Sequence, residues 1–417
     1  DKLYCEPIVE EDVLEIVNHE NPLGVVVQFG GQTPLKLTSV LQKYNIPILG
    51  TSPESIDIAE NREKFKSFLS GFNFKQPRNL AVSEKEMVKS AVLELGYPVI
   101  VRPSYVLGGR AMELIYTESD LKNYVNNRVE ISPDNPLLIE EFLEDATEID
   151  IDLISDGENV LIGGILQHIE EAGIHSGDSS CSFPPYSVAE KKILELKKEI
   201  KGVAKKLNVK GLMNAQVAIK NDEFYMIEVN PRASRTIPFL SKCLGHSLAK
   251  LSSKVLIGNS LKDLGFSSEI VPTSYAVKAP VFPFNKFLKV DPILGPEMKS
   301  TGEVMGRGST FGEAFGKAIK AAGDEIPTKG NIFVSVKDSD KKYLPELCQK
   351  FIELGFNIKA TKGSCQFLAD KGISVEKVNK VLEGRPHIVD EILNNEICMV
   401  INTTEGRQSI KDSFSIR

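Results

Sequence analysis

Gly24-Val25-Val26-Val27-Gln28-Phe29 is a short apolar run ending in Gly30-Gly31-Gln32-Thr33-Pro34, and after a helical stretch to Asn45 a second run, Ile46-Pro47-Ile48-Leu49, follows. Strand, glycine turn, helix and strand in that order predict a unit of a parallel sheet. One such unit supplies too few strands for a sheet, so further residues are expected upstream of Asp1. At Thr51 the pattern changes. Ser52-Pro53 reads as a helix N-cap and first helical residue, with the helix running through Phe65 and Leu69 to Gly71. Ser83-Glu84-Lys85-Glu86 has the form of a capping box for a helix that stops at Gly96, and Ser187-Val188-Ala189-Glu190 has it for a helix through Lys206.

Between these helices lie hairpin-like segments: Pro98 to Arg102 with Ala111 to Tyr116, Glu148 to Ile154 with Val160 to His168, and Gln216 to Ile219 with Phe224 to Asn230. Antiparallel strands interspersed with helices predict an α+β domain over 52–270. An extended run, Ser274 to Phe284, and a helix around Ala314 to Ala322 make 271–329 an extension that ends in a linker, Gly323 to Gly330. Beyond it strand and helix alternate: Ile332 to Val336, a helix to Leu354, Phe356 to Ala360, a helix to Asp370, and Ile397 to Ile401. Residues 330–417 therefore read as a second, doubly wound α/β domain, and 1–51 as a partial one.

Composition narrows the class. Of 417 residues 41% are hydrophobic and 26% charged, as in ordinary folded soluble chains. A net charge of −7 argues against a dedicated nucleic-acid or anionic-membrane surface, and no stretch approaches eighteen apolar residues. Six scattered cysteines form no C-x-x-C pair, which fits a reducing, cytoplasmic setting rather than a disulfide framework.

The most informative segment is Gln216 to Arg232, where Asn221-Asp222 makes the turn and side-chain alternation places Gln216, Glu228 and Asn230 on one face. A carboxylate and two amide oxygens suit a hard cation that takes the rest of its shell from nucleotide phosphates, with Arg232 and Arg235 able to hold the same phosphates. A surface hairpin with a salt bridge would show the same spacing. Tyr105 to Ala111 is a glycine loop between strands, lacking both the Walker ending and the dinucleotide G-x-G-x-x-G; it reads either as a phosphate cover supported by Arg102 or as a hairpin tip. Leu137 to Leu143 runs from an apolar strand into Glu140 and Glu141, which suits an adenosine site or a solvated strand end. Gln167 to Cys181 gathers His168 and His175 with acids and hydroxyls, and since its spacing matches no familiar zinc pattern, a polar loop lining a charged-substrate site fits it better. In the tail, Ser335, Lys337, Thr361, Gly363, Ser364, Lys380, Asn402, Thr403 and Thr404 follow successive strands, where open α/β sheets bind phosphorylated ligands.

Taken together, Gln28 to Pro34, Arg102 to Arg110, His175-Ser176-Gly177-Asp178-Ser179, Glu228-Val229-Asn230-Pro231-Arg232 and Gly295 to Gly306 closely resemble the large chain of carbamoyl-phosphate synthase, in its second half and regulatory domain. The resemblance implies a partial pre-ATP-grasp parallel sheet, an ATP-grasp domain, and a methylglyoxal-synthase-like allosteric domain cut short at Arg417. It implies a ligase that phosphorylates carbamate with ATP, within carbamoyl-phosphate synthesis for the pyrimidine or arginine pathway. Carried over by position, Arg62, Arg102, Gly108 and Gly109 would hold ATP phosphates, Glu140, Glu141 and Leu143 the adenosine, and Glu148 the ribose. Gly173, Ile174, His175 and Ser176 fall in the nucleotide-site loop. Gln216, Glu228 and Asn230 would hold about two Mg²⁺ or Mn²⁺ ions, with Arg232 and Arg235 at the transferred phosphoryl and K⁺ near Glu148 and His168.

Lys341, Thr361, Ser364, Lys380, Asn402 and Thr404 match positions for a nucleotide effector such as UMP. Ala279 stands where ornithine-activated relatives place an acid, although Glu170 and Asp178 match. The implied partners are an N-terminal synthetase half and a glutamine amidotransferase small chain, with no nucleic acid and no membrane. Two other readings remain open: another ATP-grasp carboxylate ligase, and a folded but inactive nucleotide-binding regulatory fragment.

Overall fold

The structure, a computed structural model, describes residues 2–103, 111–287, 292–381, 383–403 and 413–416. It divides into two units, one of Asp1–Phe282 with Leu294–Ala322 and the other of Pro283–Ile293 with Gly323–Arg417.

In the first unit the run at Val25 and the run at Ile48 meet in parallel as a single bridge, held by Val25 N–H to the Pro47 carbonyl (2.8 Å) and Leu49 N–H to the Val25 carbonyl (2.9 Å). Neither extends into a ladder. The helix expected from Ser52 to Gly71 is two helices, Pro53–Glu60 and Arg62–Leu69. Asn61 divides them because its side-chain oxygen caps the second by accepting from Lys64 N–H at 3.1 Å, the competition with the helical backbone that short amide side chains offer. Ser187, by contrast, does not cap. Its hydroxyl oxygen accepts from Gln167 Nε2 at 2.5 Å, and the helix Glu190–Lys206 starts without a side-chain cap. The box expected at Ser83 does not form either: a 3₁₀ turn, Lys85–Met87, begins after Glu84 without a side-chain cap, and the helix Val88–Leu95 follows and ends at Gly96 with φ +86°.

A small sheet comprises β1 (Asn79–Val82), β2 (Val99–Pro103), β3 (Glu113–Ile115) and β4 (Leu137–Glu141) in the order β1-β4-β2-β3. Its core joins Val99, Val101 and Ile139 to Val92, Leu121 and Tyr124 of the covering helices. The large sheet is wholly antiparallel. It comprises β5 (Thr147–Asp156), β6 (Val160–His168), β7 (Cys181–Phe183), β8 (Lys210–Lys220), β9 (Glu223–Asn230), β10 (Tyr275–Val281) and β11 (Gly302–Gly308), in the order β11-β10-β7-β6-β5-β8-β9.

Strand alternation on β5 sends Ile149, Ile151 and Leu153 into a core shared with Phe65, Leu196, Ile200 and Val203. Glu148, Asp150 and Asp152 therefore share the opposite face, and all three are buried. Asp152 is fully enclosed and accepts from Asn214 Nδ2 (3.0 Å), Ser234 Oγ (2.6 Å) and Thr236 Oγ1. Burial nevertheless dominates, and the carboxyl is pushed up to about 6.

In the second unit β12 (Gly330–Ser335), β13 (Phe356–Ala360), β14 (Glu376–Lys377) and β15 (Ile397–Asn402) form a parallel sheet in the order β14-β13-β12-β15. Ile332 and Val334 face one apolar cluster and Phe333 faces another, so the sheet is covered on both sides, as parallel sheets require. Among the described residues no helix is long and apolar enough to cross a membrane.

Two predictions follow from this packing. At Gly306 on β11 a Cβ would lie 2.1 Å from the Ala314 carbonyl oxygen and 2.4 Å from Ala318 N, backbone atoms of the helix Phe311–Ala322. Gly306→Ala is expected to destabilise the first unit by about 2 kcal/mol or more, seen as a lowered melting midpoint. The second concerns Asp152, whose folded pKa of about 6 lies above its ordinary 3.8. The native state then binds this proton more readily than the unfolded chain, so its contribution to stability falls as pH rises through that window and is fully lost above it. Asp152→Asn lacks the slope and should gain on the wild type by about 2 kcal/mol between pH 4 and 7, read from urea midpoints; a constant gap would contradict it.

Candidate functional site

A cavity of about 980 Å³ opens in the first unit between the small sheet and the acid-bearing face of the large one. Its floor is a grid set by strand register. Asp150 of β5 lies opposite Gln216 of β8, which lies opposite Glu228 of β9; in the next row Asp152, Asn214 and Asn230 stand in line. Glu148, Ala218 and Tyr225 form a third row. Ile227 is an extra residue in β9, since Gln216 pairs with Glu228 while Val217 already pairs with Met226. That bulge changes the parity of the strand. Phe224 and Met226 before it and Val229 after it all reach the core, whereas Glu228 and Asn230 reach the cavity.

Asn230 Nδ2 donates to Glu228 Oε1 at 2.8 Å, and Asn230 Oδ1 accepts from Arg232 Nη2 at 3.1 Å. Arg232 also donates from Nη1 to the Ala233 carbonyl and from Nε to Gln32 Oε1, each at 3.2 Å. Arg235 is exposed at the rim, with Nη1 2.9 Å from Met298 Sδ. Glu148 is 7% exposed; burial raises its carboxyl pKa, His168 and the Gly173 N–H draw it back, and Asp150 and Glu228 push it further up.

On the small sheet Glu140 accepts from Arg62 Nη2 (2.8 Å) and faces Arg102 Nε (3.4 Å), so one carboxylate holds two cavity arginines. Burial raises its pKa against the pull of Arg102. Glu141 lines the cavity while its carboxylate is spent on Arg78 (3.1 Å). Leu143 packs with Ala146, Ala172 and Ala218 into an apolar patch at the cavity wall, continued by Ile100, Met112 and Phe142.

The loop Ala172 to Gly177 closes one side. Gly173 has φ +92°, and a Cβ there would meet the Phe142 ring at 2.7 Å, so only glycine lets the loop lie against that ring. Ile174 and Ser176 also line the cavity, the Ser176 carbonyl accepting from buried Lys278 at 3.0 Å. His175 N–H bonds the Gly295 carbonyl (2.9 Å), and its Nδ1 accepts from Gly177 N–H (3.0 Å). Burial, with Arg235 and Lys278 nearby, lowers its pKa and keeps the ring neutral.

On the same face of the sheet as the floor, His168 Nε2 and Asp150 Oδ2 are 3.0 Å apart, both buried. Burial opposes charge on this imidazole, but Cys181, Glu148 and Asp150 outweigh it and push His168 well above its ordinary value. His168 pairs in register with Cys181 across β6 and β7, while His175 faces the cavity. Among the described residues no group of three or more His, Cys, Asp or Glu side chains is placed to hold a metal ion.

Arg62, Arg102, Glu140, Glu141, Leu143, Glu148, Gly173, Ile174, His175, Ser176, Gln216, Glu228, Asn230, Arg232 and Arg235, named from the sequence, thus all line one cavity. Gly108 and Gly109 lie outside the described residues, as does Thr404. Sequence reasoning missed Asp150, Asn214, Lys278, Gln32 and Glu60 in the same wall. The alternation Glu148-Ile149-Asp150-Ile151-Asp152 was the legible signal for the first, and Gln32 lies in the glycine turn Gln28 to Pro34 that shares in the family resemblance; the other three have none of this kind.

In the second unit Thr361 follows β13, Asn402 ends β15 opposite Ser335 of β12, and Thr361 Oγ1 is 3.3 Å from Ser335 Oγ. Lys341 Nζ pairs with Asp338 (2.6 Å) and lies beside Gly363 at the start of the helix Lys362–Ala369, where Ser364 is buried. Lys380 N–H donates to Glu383 at 3.0 Å.

Family models for the carbamoyl phosphate synthase preATP-grasp domain, the carbamoyl-phosphate synthase L chain ATP binding domain and the MGS-like domain match residues 1–58, 61–264 and 343–417. The carbamoyl phosphate synthase large chain of Pseudomonas syringae pv. tomato is 54% identical over 417 residues, all of this chain and 39% of that one; that of Vibrio cholerae is 50% identical over the same shares. The chain therefore spans about two-fifths of the length of these relatives. Among solved structures, biotin carboxylase from Campylobacter jejuni has the same fold with a TM-score of 0.58 at 17% identity, over 76% of this chain and 77% of that one. N5-carboxyaminoimidazole ribonucleotide synthetase from Thermus thermophilus gives 0.58 at 15%, over 77% and 87%. With two domain models of one enzyme chain end to end over its first 264 residues, and half or more of all positions shared with bacterial large chains, the protein belongs to the carbamoyl-phosphate synthase large-chain family.

Proposed function

We propose that this chain carries the ATP-dependent phosphorylation of carbamate to carbamoyl phosphate, one step in a synthesis from bicarbonate, glutamine-derived ammonia and two ATP. The observation that carries the reading is the grid in which Gln216, Glu228 and Asn230 share the cavity face beside Arg232. One carboxylate and two amide oxygens are a donor set for Mg²⁺ or Mn²⁺, about two of which would accompany ATP. When bound, such ions draw charge from the phosphates.

On this reading the apolar patch at Leu143 and the main chain near Glu140 and Glu141 take the adenine, and Glu148 takes the ribose. Arg62 and Arg102 turn from Glu140 to the phosphates, and the loop Gly173 to Ser176 covers them. A carbamate oxygen attacks the terminal phosphorus in line; the new O–P bond forms as the bond to the bridging oxygen breaks, and ADP leaves with those electrons. Arg232 and Arg235 balance the charge on the moving phosphoryl. The nucleophile is already an anion, so no side chain has to remove a proton. For K⁺, Asp150 Oδ1 is buried with no hydrogen-bond partner among the described residues, beside Glu148 and His168, which supports a monovalent site there.

The same reading divides the chain into a partial pre-ATP-grasp domain (1–51), an ATP-grasp domain (52–270), its extension and linker (271–329) and an allosteric domain (330–417) for a UMP-like nucleotide. It carries with it an N-terminal synthetase half, a glutamine amidotransferase small chain and a cytoplasmic location, with which six unpaired cysteines agree.

The test is reverse catalysis, ATP formed from ADP and carbamoyl phosphate. The chain should support it, and Glu228→Gln should lose at least about a hundredfold; equal rates would sink the metal assignment, and silence from both would favour an inactive regulatory fragment. For the tail, calorimetry should detect UMP binding that Thr361→Val or Lys341→Ala weakens at least about tenfold, and absence of heat with the wild type would remove the effector reading.

A further inference from the structure

The turn that carries Arg232 is gripped from a distant part of the sequence. Ala233 N–H donates to the Gln28 carbonyl at 2.9 Å, and Gln28 Nε2 donates to the Pro231 carbonyl at 2.7 Å, so the segment beginning at Gln28 holds both neighbours of the arginine. Four residues on, Gln32 reaches the guanidinium itself, accepting from Arg232 Nε at 3.2 Å, while its Nε2 donates to Glu60 Oε2. Gln32 opens the short helix Gln32–Leu35, and Glu60 ends the helix Pro53–Glu60, so both partners stand on ordered backbone.

The polarity of this chain is fixed. A guanidinium has no acceptor and an ionised carboxylate has no donor, so a primary amide between them has one orientation, oxygen to Arg232 and nitrogen to Glu60. Arg232 has five N–H groups, and three of them are taken, by Gln32, Asn230 and the Ala233 carbonyl. Among the described residues one N–H on each terminal nitrogen has no partner. The three contacts fix the plane of the guanidinium, and with it the direction in which those two free N–H groups point. Asn230 belongs to the proposed metal set, so among the described residues the only side chain outside that set that bonds Arg232 is Gln32.

We propose that Gln32, oriented by Glu60, is a positioning residue that aims Arg232 at the transferring phosphoryl group. This deepens the reading of the site given above and rests on it. The contribution is one of preorganisation. An arginine held on three sides pays its ordering entropy before the reaction rather than at the transition state, and a guanidinium free to swing loses the bidentate geometry that makes arginine effective toward phosphoryl oxygens. Nucleotide affinity, which draws on the small sheet and on the metal donors, is largely independent of it.

The test compares Gln32→Leu, Gln32→Glu and the double variant Gln32→Glu with Glu60→Gln, using the full chain. In the reverse reaction Gln32→Leu should lower kcat at least about tenfold and leave KM for ADP within about twofold. Gln32→Glu sets two carboxylates against each other and should lose a similar amount. The double variant restores one acceptor toward Arg232 and one donor between the two positions, and it should recover to within about threefold of the wild type. A role confined to folding would show instead as a lowered melting midpoint with no such recovery.

A binding measurement stands beside turnover: the gain in Mg-ADP affinity on adding fluoroaluminate, a mimic of the transferring phosphoryl. It should be reduced at least about tenfold in Gln32→Leu and return in the double variant, while Mg-ADP alone binds all forms alike. Wild-type kcat and wild-type fluoroaluminate gain in Gln32→Leu, or a double variant no better than Gln32→Glu, would overturn the positioning role and leave the phosphoryl-transfer reading intact. A wild-type chain that binds Mg-ADP but shows neither turnover nor fluoroaluminate gain would overturn both.

Discussion

A single inserted residue, Ile227, decides which side chains of the central ribbon meet the cavity. In an unbroken antiparallel pair, Glu228 opposite Gln216 would place Met226 opposite Ala218, on the cavity face, and Tyr225 in the core. The bulge shifts the earlier half of β9 by one position, so Met226 and Phe224 join the apolar cluster around Leu196 and Ile200, and Tyr225 takes the cavity side next to Leu143. The strand thereby keeps a continuous core on one face and presents an acid and an amide in succession on the other. Hydrophobic burial at Phe224, Met226 and Val229, each 2% exposed or less, is what holds the register against slipping. The chemistry of the cavity is thus secured by residues that never touch it.

The same face concentrates negative charge, and the protein manages it by position. Asp152 is surrounded by three donors, Asp150 lies beside a histidine, and Glu148 keeps a backbone N–H from Gly173. Even so, Glu148 and Asp152 hold raised pKa values, because burial costs a carboxylate more than these neighbours return. A floor with this much unrelieved negative potential favours cations over it. Across the cavity, Arg62 and Arg102 both rest on Glu140, a weak enough hold at 2.8 and 3.4 Å and at partly exposed side chains to be exchanged for a polyanion. The two walls therefore fit opposite ends of one kind of ligand, a metal-bound phosphate chain.

Much of this was legible in the sequence wherever local pattern and tertiary demand agree. The hairpins, the helix ends at Gly96 and Lys206, and the alternation in the tail follow from periodicity, glycine and turn residues. The Gln216, Glu228, Asn230 face was named from the sequence but not fixed by alternation: the Asn221-Asp222 turn pairs Lys220 with Glu223, an unbroken ribbon would then set Gln216 opposite Ile227 and turn Glu228 to the core, and the inserted residue that brings Glu228 opposite Gln216 has no local signal. The failures share a cause. Asn61 and Ser187 have side chains that can either cap or bond elsewhere, and only the surrounding structure chooses. Asn214 became a site residue through its register with Asp152 and Asn230, and Lys278 through a sheet order that brings β10 beside β7. Gln32 and Arg232 are 200 positions apart, a separation no periodicity reports.

The protonation states around the cavity bear on the class of reaction it can run. His175 is the one histidine in the wall, and its Nδ1 lone pair is occupied by Gly177 N–H, so what it can offer a ligand is the Nε2 proton of a neutral ring. His168 is buried against Asp150 and does not line the cavity. Glu140 and Glu148 have raised pKa values, but Glu148 is buried against other acids, and Glu140 is held here by two arginines and stands on the small sheet, across the cavity from Arg232 and Arg235. A site so arranged has donors and fixed charges in quantity and no disengaged base among these groups. That is a poor design for opening an acyl bond with an activated hydroxyl, and a good one for moving a phosphoryl group to an oxygen that arrives already charged, where orientation and charge neutralisation supply the rate.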